Sequence, residues 1–452
     1  MTFVSVVTAL VGVLTVCFCT LPPGAAARSP EALTLTEAIE AALRRNPEIA
    51  AVRYQLAAAE AQTLQARAGL LPQIEASEAY SRTNSPLWAF GTRLNQENIR
   101  AQDFAPERLN DPEAIDNYNT ALTLNWNLFD GATLIGWRQA RRAEGAAALD
   151  VLRGEQQTIA RTAVAYMGLL LAAQSRDVVA QSLETAHAHL NVVEDRFRSG
   201  LVVKSDLLRA QVRIADLAQQ NLQAESQVKV AEAMLKALMG RSDDRPLDPV
   251  SRPQGGAPAE ALPAWIERAL QQRPELQRLQ VQEAVARQAV ERARAGHWPT
   301  LALQGKYELN SRDFPGDDAQ SYTVGAVANL NLYSGQRISA EAAAAKALLG
   351  SVQSRQRGLD LEVQVQVQRA YYQAQSAWKS IEVAAAAVDQ AEEGMRIVAN
   401  RYQSGLLTIV SLLDAQVAHQ QARTQHFKAL HDYHVARVEL ALAAGVIDKN
   451  LE

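Results

Sequence analysis

The same series of motifs occurs twice along this chain, and this internal repeat limits the available folds more than any other feature. The stretch "RFRSGLVVKSDLLRAQ" at 196–211 returns as "RYQSGLLTIVSLLDAQ" at 401–416. Two further pairs keep the same order: "ALRRNPEI" from 42 with "ALQQRPEL" from 269, and "NWNLFDG" from 125 with "NLNLYSG" from 329. A repeated series of this kind indicates that each half of the chain forms the same structural unit.

A stretch rich in proline and glycine, 241–263, separates the two halves and predicts a linker. We therefore expect a first structural repeat over 28–240 and a second over 264–452. Each repeat is predicted to contain a helix, two strands and a long helical hairpin.

The distribution of proline predicts unusually long helices. No proline occurs in 113–245 or in 316–452, and residues with high helix propensity dominate both stretches. Residues 131–197 and 336–402 are each predicted to form one helix about 100 Å long, which turns at Gly200 or Gly405 and runs back. Because such helices are too long for a compact globule, we expect them to coil against partners.

Two details complete the helical prediction. The segments between Pro47 and Pro72 and between Pro274 and Pro299 predict two shorter helices, since proline fits the first turn of a helix and ends one from beyond. The stretch "LDLEVQVQVQ" at 359–368 alternates as a strand does. We still predict a helix there, because no turn residues isolate it and the aligned stretch in the first repeat does not alternate.

The first 27 residues predict a secretory signal. An apolar run from Phe3 to Cys19 precedes a Pro-Pro-Gly break and small residues suited to cleavage after Ala27, with an uncleaved anchor as the alternative. Both cysteines, Cys17 and Cys19, lie in this segment, so the mature chain is predicted to have no thiol for disulfides or metal. Lipidation of Cys17 stays open. The net charge of −4 disfavours nucleic acid as a partner.

Four segments alternate between apolar and polar residues over about 10 positions, the length of a tilted membrane strand. The predicted strands are 73–82, 117–128, 300–310 and 321–332. The first is the weakest, because its apolar face would include Glu78. A soluble sandwich alternates in the same way, so the alternation leaves both architectures open.

Aromatic residues at the strand ends favour a membrane. We predict one girdle where the strands meet the long helices and a second at the far ends. The members of the two girdles are Phe129, Trp298 and Tyr333, and Tyr80, Tyr118, Tyr307 and Tyr322. Four strands leave two open edges, which hydrocarbon does not tolerate, so a barrel must be shared between chains. The strands alone permit either eight strands from a dimer or twelve from a trimer.

With these features together, the chain resembles the TolC family of outer-membrane efflux channels over essentially its whole mature length. The resemblance implies a mainly α fold with a small β part. It implies a homotrimer in which four strands per protomer complete a 12-stranded transmembrane β-barrel and the long hairpins form a periplasmic α-barrel. It also implies an outer-membrane location reaching into the periplasm, and a periplasmic adaptor and an inner-membrane pump as partners. The implied activity is passive conduction, with no cofactor and no catalysis.

The resemblance also assigns roles at the two glycine turns, which become the periplasmic tips. The expected adaptor-docking residues are Arg196, Gly200 and Leu201 in the first tip, and Arg401, Gly405 and Leu406 in the second. Tyr402 matches a gate tyrosine that hydrogen-bonds an aspartate, matched by Asp206. An arginine of the family latch would fall at Leu407 and is absent. Two entrance rings of aspartate match Ser411 and Asp414, of which only the second is acidic.

Two other classes of protein share some of these features. An enzyme is disfavoured, because no phosphate-binding glycine loop, nucleophile elbow or HExxH motif occurs. The histidine pairs 187 with 189 and 431 with 434 have no identifiable partners for a metal, and we expect surface histidines. A periplasmic adaptor or coiled-coil scaffold would also show a long hairpin and a signal. It would have a single hairpin and would lack the girdled strands.

Overall fold

The computed structural model describes residues 31–250, 256–257, 260–314 and 319–449. The predicted signal segment, with Cys17 and Cys19, lies outside these residues, and so cleavage after Ala27 stays a prediction. The helices of the described part are α1 Leu35–Arg45, α2 Pro47–Ala68, α3 Pro86–Asn95, α4 Pro106–Asn110, α5 Gly131–Arg198, α6 Lys204–Leu238, α7 Leu262–Gln272, α8 Pro274–Arg294, α9 Arg337–Gln403 and α10 Ile409–Ala444. The strands are β1 Glu31–Leu33, β2 Gln73–Thr83, β3 Ile115–Phe129, β4 Leu247–Pro249, β5 Thr300–Ser311 and β6 Ala319–Asn329.

The two very long helices are confirmed. Helix α5 has 68 residues and α9 has 67, each about 100 Å long at 1.5 Å per residue. Each turns back into a shorter antiparallel partner, α6 or α10, and the four helices form two hairpins. The alternating stretch 359–368 lies inside α9, as predicted. The shorter helices α2 and α8 both begin at a proline, Pro47 and Pro274.

The four predicted membrane-length segments form one antiparallel sheet in the order β2-β3-β5-β6. Among the described strands, β2 and β6 are each paired on one side only. The prediction for the last strand was too long: β6 ends at Asn329 rather than at 332. Its partner β5 starts at Thr300, which pairs with Asn329, so later residues have no neighbour to bond. Leu330 and Leu332 are consequently exposed and outside the sheet.

A second structured region lies around the middle of the long helices. Strand β1 pairs in parallel with β4, which belongs to the stretch 241–263. The hydroxyl of the fully buried Tyr166 on α5 donates to the Leu33 carbonyl at 2.9 Å, which ties this small sheet to the long helix. Ion pairing adds a further link, since Arg241 lies 2.8 Å from Glu31.

Near the sheet, the helices lie side by side in the order α2, α5, α8, α9. Helix α10 packs against α5 nearer to the tips. Among the described residues, none of the helices is both long and apolar enough to span a bilayer. Helices α5 and α9 run from the sheet to the hairpin tips, and because each is about 100 Å long, the sheet and the tips occupy opposite ends of the molecule.

Candidate functional site at the helical tips

Both tips use the same helix-ending motif. Gly200 and Gly405 adopt the left-handed conformation, with φ of 72° and 77°. In each tip the amide after the glycine donates back to the carbonyl five residues earlier, at 2.8 Å and 2.9 Å. This motif satisfies carbonyls at the end of α5 and of α9, and a side chain at the glycine would add strain. The repeated "SG" in the sequence is therefore a structural requirement of the turn.

The two tips pack together in a single apolar cluster. Buried residues from all four hairpin helices meet there, so the hairpins are held in contact at their ends. The members are Val193, Ala210, Tyr402, Ile409 and Leu412.

Arg196 links one tip directly to the other. Its guanidinium donates from Nη1 to the Tyr402 carbonyl at 2.9 Å and from Nη2 to the Gln403 carbonyl at 2.5 Å. Its Cζ also lies 4.8 Å from the centre of the Tyr402 ring. A cation at the carboxyl end of α9 is favourable both for the free carbonyls and for the helix dipole. We call this group, Arg196 with Tyr402 and Gln403, the tip clamp.

The predicted gate tyrosine is buried, but its predicted hydrogen bond is not formed. Tyr402 is 3% exposed, and its hydroxyl has no hydrogen-bond partner in the described part of the chain. Burial raises the pKa of this phenol, the charge of Asp206 raises it further, and Arg196 opposes both. Asp206 is therefore an electrostatic neighbour of Tyr402 in this structure, and Arg196 supplies the direct contact.

The predicted acidic residues lie on α6 and α10 near the turns. Asp414 is exposed and lines a groove between the two helices, with Ser205, Arg209 and Arg213 among the other lining residues. Ser411 lies one turn earlier, with its hydroxyl 3.4 Å from that of Thr408. The structure thus places Asp414 in a groove with two arginines and a second carboxylate, Asp216, which lies 2.7 Å from Arg213.

The predicted docking residues divide into two kinds. Leu201 and Leu406 are each 74% exposed at the ends of the hairpins. Arg401 is exposed, whereas Arg196, at the aligned position, is half-buried in the tip clamp. The sequence assigned these two arginines the same role, and the structure distinguishes them.

At the opposite end of the molecule the predicted inner girdle is partly built into the fold. Phe129, Trp298 and Tyr333 are exposed where strands and helices meet. The Trp298 ring lies against Gly131, where an added Cβ would come within 2.2 Å of it. The first residue of α5 therefore has to be glycine for the tryptophan to keep this position.

The four outer tyrosines share one face of the sheet but do not form one row. The register pairs Tyr80 with Tyr118, whose rings are 5.0 Å apart, and Tyr307 with Tyr322. Tyr307 lies opposite Leu122 rather than Tyr118. The second pair is therefore four residues, about 13 Å along the strands, nearer to the helices. The observed register thus spreads the four tyrosines over two levels of the sheet, and their place at a membrane interface stays a prediction.

The histidines form no metal-binding cluster in the described residues. The Nδ1 of His431 lies 3.0 Å from Asp432. His434 is half-buried between α5 and α10, and burial lowers its pKa to about 4, with further lowering by Arg437 and His431. The expectation of surface histidines was therefore wrong for His434.

Comparison with known proteins gives a consistent answer. The chain is 26% identical to alkaline protease secretion protein AprF of Pseudomonas aeruginosa, covering 92% of this chain and 85% of that protein. It is 25% identical to outer membrane protein TolC of Vibrio cholerae, over 92% and 91% of the two chains. In structure it resembles the CmeC outer membrane channel of Campylobacter jejuni, with a TM-score of 0.77, 18% identity, and coverage of 92% of this chain and 86% of that one.

The family model described as outer membrane efflux protein matches residues 38–241 and 265–446, which is most of the chain. Together with the two long hairpins and the four-stranded sheet, this match favours a channel over an adaptor or an enzyme. The chain therefore belongs to the outer membrane efflux protein family and is the outer membrane channel of a tripartite efflux or export system.

Proposed function

We propose that three copies of this chain close a 12-stranded barrel through the outer membrane, continued through the periplasm by the long hairpins. Each chain contributes two structural repeats, 28–240 and 264–452, joined by 241–263. Support comes first from the sheet: β2 and β6 each lack a partner on one side in the described chain, and an open edge is not stable in hydrocarbon.

The proposed lipid-facing surface has the dimensions of a membrane band. On β3, Trp126 and Tyr118 lie on the same face, eight residues or about 27 Å apart along the strand, which corresponds to about 21 Å of height at a 40° tilt. Beyond Tyr118 the same face becomes charged, where Arg82 lies 3.5 Å from Asp116. The band is thus close to the ~25 Å of known barrels, with the charged pair outside it.

Glu78 is charged although it lies on the apolar face. It is two residues from Tyr80 along β2, on the side nearer to the helices. Its carboxylate accepts a hydrogen bond from the Thr120 hydroxyl on the neighbouring strand. A carboxylate with a partner and close to the interface costs less than one at the centre of the bilayer.

The opposite face is polar and forms its own network. The Asn119 amide donates to Glu308 at 3.2 Å and to Asn310 at 3.0 Å, and Lys306 pairs with Glu308 at 2.7 Å. Such a surface suits a water-filled lumen.

Two exposed apolar stripes support the trimer. On α9, exposed apolar residues follow one another at spacings of four, seven, eleven and fourteen residues. Each spacing is close to a whole number of helical turns, so these residues form one stripe along the helix. Its members are Leu361, Val365, Tyr372, Val383 and Ile397, all exposed. A matching stripe on α6 contains Leu208, Val212, Leu222, Val230 and Met234. Neighbouring copies would cover both stripes, since a long helix gains most of its stability from packing of such a face.

We place the closed entrance at the tips and assign its closure to the tip clamp. This contact joins the α5 end of one hairpin to the α9 end of the other, so the hairpins cannot separate while it holds. A periplasmic adaptor would engage the exposed Leu201 and Leu406, separate the hairpins and break the clamp. Substrate then passes by conduction, with energy supplied by the inner-membrane pump.

Asp414 has a role separate from that of the tip clamp. Three copies near the threefold axis would form an acidic ring at the entrance that attracts cations. Arg209 lines the same groove and would reduce its negative potential, whereas Arg213 is paired with Asp216 at 2.7 Å.

The experiment that tests the proposal uses the detergent-purified full protein in two measurements. Native mass spectrometry should give the mass of three mature chains, and planar bilayers should show discrete low-conductance steps. A protein that stays monomeric and gives no steps would overturn the proposed assembly.

A further inference from the structure

The segment between β2 and β3 is folded, although it lies at the outer end of the sheet. It contains α3, a short 3₁₀ turn at Ala101–Phe104, and α4. Asp103 holds these parts together: it is 5% exposed, lies 2.8 Å from Arg93 Nη1 and accepts the Arg100 amide at 2.8 Å. The Phe90 and Phe104 rings pack edge to face with centres 5.7 Å apart. A buried, bonded carboxylate of this kind makes the segment a defined structure.

Helix α3 lies on the polar face of the sheet. The Gln96 side chain, 6% exposed, donates from Nε2 to Asn117 Oδ1 and to the Asp116 carbonyl, both at 2.8 Å. Asn117 belongs to the polar face, since its neighbour Tyr118 lies on the apolar one. Helix α3 contacts β3 and also β6, the two strands that flank β5 in the sheet.

Burial confirms this placement. Three polar-face positions near the outer strand ends are covered, whereas the rest of β6 is exposed. The covered positions are Ala121 at 2%, Asn310 at 3% and Ala319 at 4% exposure. On α3 itself Ala89 is fully buried.

The other side of α3 is apolar and uncovered. Leu87, Trp88 and Leu94 are 76%, 70% and 47% exposed. At 100° per residue they fall on one face, opposite to Ala89 and Gln96. Three large apolar side chains exposed together on a short helix indicate an interaction surface.

We propose that the three α3 helices of the assembled channel meet in its outer mouth and close it with an apolar constriction. This inference rests on the proposed trimer. When the sheet closes into a barrel with its polar face inward, the free side of α3 faces the axis. The surfaces available to it there are those of the same helix from the other two copies. Each helix with its side chains is about 10 Å across, so three of them obstruct the passage.

The constriction is thus a second barrier in series with the tip clamp. A narrow ring of Leu87, Trp88 and Leu94 is poorly wetted and restricts the passage of water and ions when nothing larger occupies it. Gln96 anchors each helix to its own sheet, and the Arg93–Asp103 pair joins α3 to the neighbouring 3₁₀ turn, so the barrier belongs to the fold and does not depend on the periplasmic partners.

Cysteine cross-linking tests the contact. Residues 28–452 contain no cysteine, so Trp88→Cys introduces a single thiol into the predicted mature chain. Treatment of the purified trimer with a short bis-maleimide should yield covalent dimers on denaturing gels. Leu332→Cys, which is 88% exposed at the opposite end of the sheet, serves as the matched control and should yield none.

The outcomes separate this inference from the assembly on which it rests. A trimer by native mass spectrometry without cross-linking at position 88 would overturn the constriction and leave the proposed function intact. Loss of the trimer itself would contradict the proposed function.

A conductance measurement tests the barrier. In a channel whose entrance is already loosened by Arg196→Ala, adding Trp88→Ala should raise single-channel conductance by about twofold or more. The control is Tyr322→Ala, which removes an aromatic ring that is 78% exposed on the apolar face of the same sheet. Equal conductance of the two double variants would show that α3 does not narrow the channel.

Discussion

Arg196 and Arg401 occupy the same position in the two repeats, yet only Arg196 joins the hairpins. Arg196→Ala removes two charge-assisted hydrogen bonds and a ring contact, roughly 1–3 kcal/mol of closure. We expect more frequent and larger openings in planar bilayers. Arg401→Ala removes an exposed arginine from the equivalent turn and should behave as the parent channel does. Identical recordings for the two variants would remove the clamp from the gating mechanism.

A second substitution tests which atoms of Tyr402 matter. Tyr402→Phe deletes a buried hydroxyl that has no partner in the described chain but keeps the ring beneath the guanidinium. Closed-state conductance should therefore be unchanged, whereas a hydroxyl bond to Asp206 would make the variant leak. The sequence resemblance favoured that bond. It could not show that Arg196 contacts Tyr402 directly, because the likeness of the two repeats does not reveal which residues face each other across two hairpins.

His434 gives the helical region a dependence on pH. Its pKa in the folded chain is about 4, below the ordinary value near 6.5, because burial and the nearby Arg437 and His431 disfavour the charged form. The unfolded chain binds a proton more readily between these values. The contribution of His434 to the free energy of unfolding is therefore fully present above about pH 6.5, and it is lost as the pH drops toward 4.

Thermal melts followed by circular dichroism at pH 7 and pH 4.5 measure this loss. Between pH 7 and pH 4.5, the melting temperature should fall by a few degrees less in His434→Gln than in the parent. The exposed His297→Gln should leave the fall unchanged. A His434→Gln variant with the parental pH dependence would rule out this histidine as the cause.

At the scale of elements, the two longest helices each contain a glycine whose replacement should have the opposite effect on stability. Gly131, the first residue of α5, has the Trp298 ring 2.2 Å from where a Cβ would lie. Gly350, inside α9, has nothing within 4 Å of that position. Gly131→Ala must displace the tryptophan and should destabilise the protein by roughly 1–3 kcal/mol. Gly350→Ala should stabilise it by about 0.5–1 kcal/mol, since alanine favours a helix. Thermal melts of both variants check the opposite signs.

The elements that could be predicted from sequence are those whose signals are local. Missing prolines predicted α5 and α9, and period-two alternation predicted the four long strands. The end of β6 was misplaced, because Leu330 and Leu332 continue the alternation while the partner strand has already begun at Thr300. The position of α3 on the polar face was missed as well. It depends on Gln96 reaching Asn117, a tertiary contact that no periodicity predicts.

On the scale of the whole molecule, the exposed stripe of α9 makes assembly sensitive to one side chain. Tyr372 is 58% exposed in the single chain and lies in the middle of this stripe. Tyr372→Asp would place an unpaired carboxylate in the proposed interface, where burying a charge costs several kcal/mol. We expect the variant to lose the trimer in native mass spectrometry while keeping the helical circular dichroism signal of the parent.

The matched control for that change lies one residue away. Gln373 is exposed but points about 100° round the helix from Tyr372, so Gln373→Asp introduces the same charge outside the stripe. It should assemble normally and conduct normally. Since four strands with open edges cannot remain alone in hydrocarbon, the Tyr372→Asp chains should also fail to appear in the outer membrane fraction of cells. If those chains reach the outer membrane as trimers, α9 does not form the interface between copies, and another surface must close the barrel.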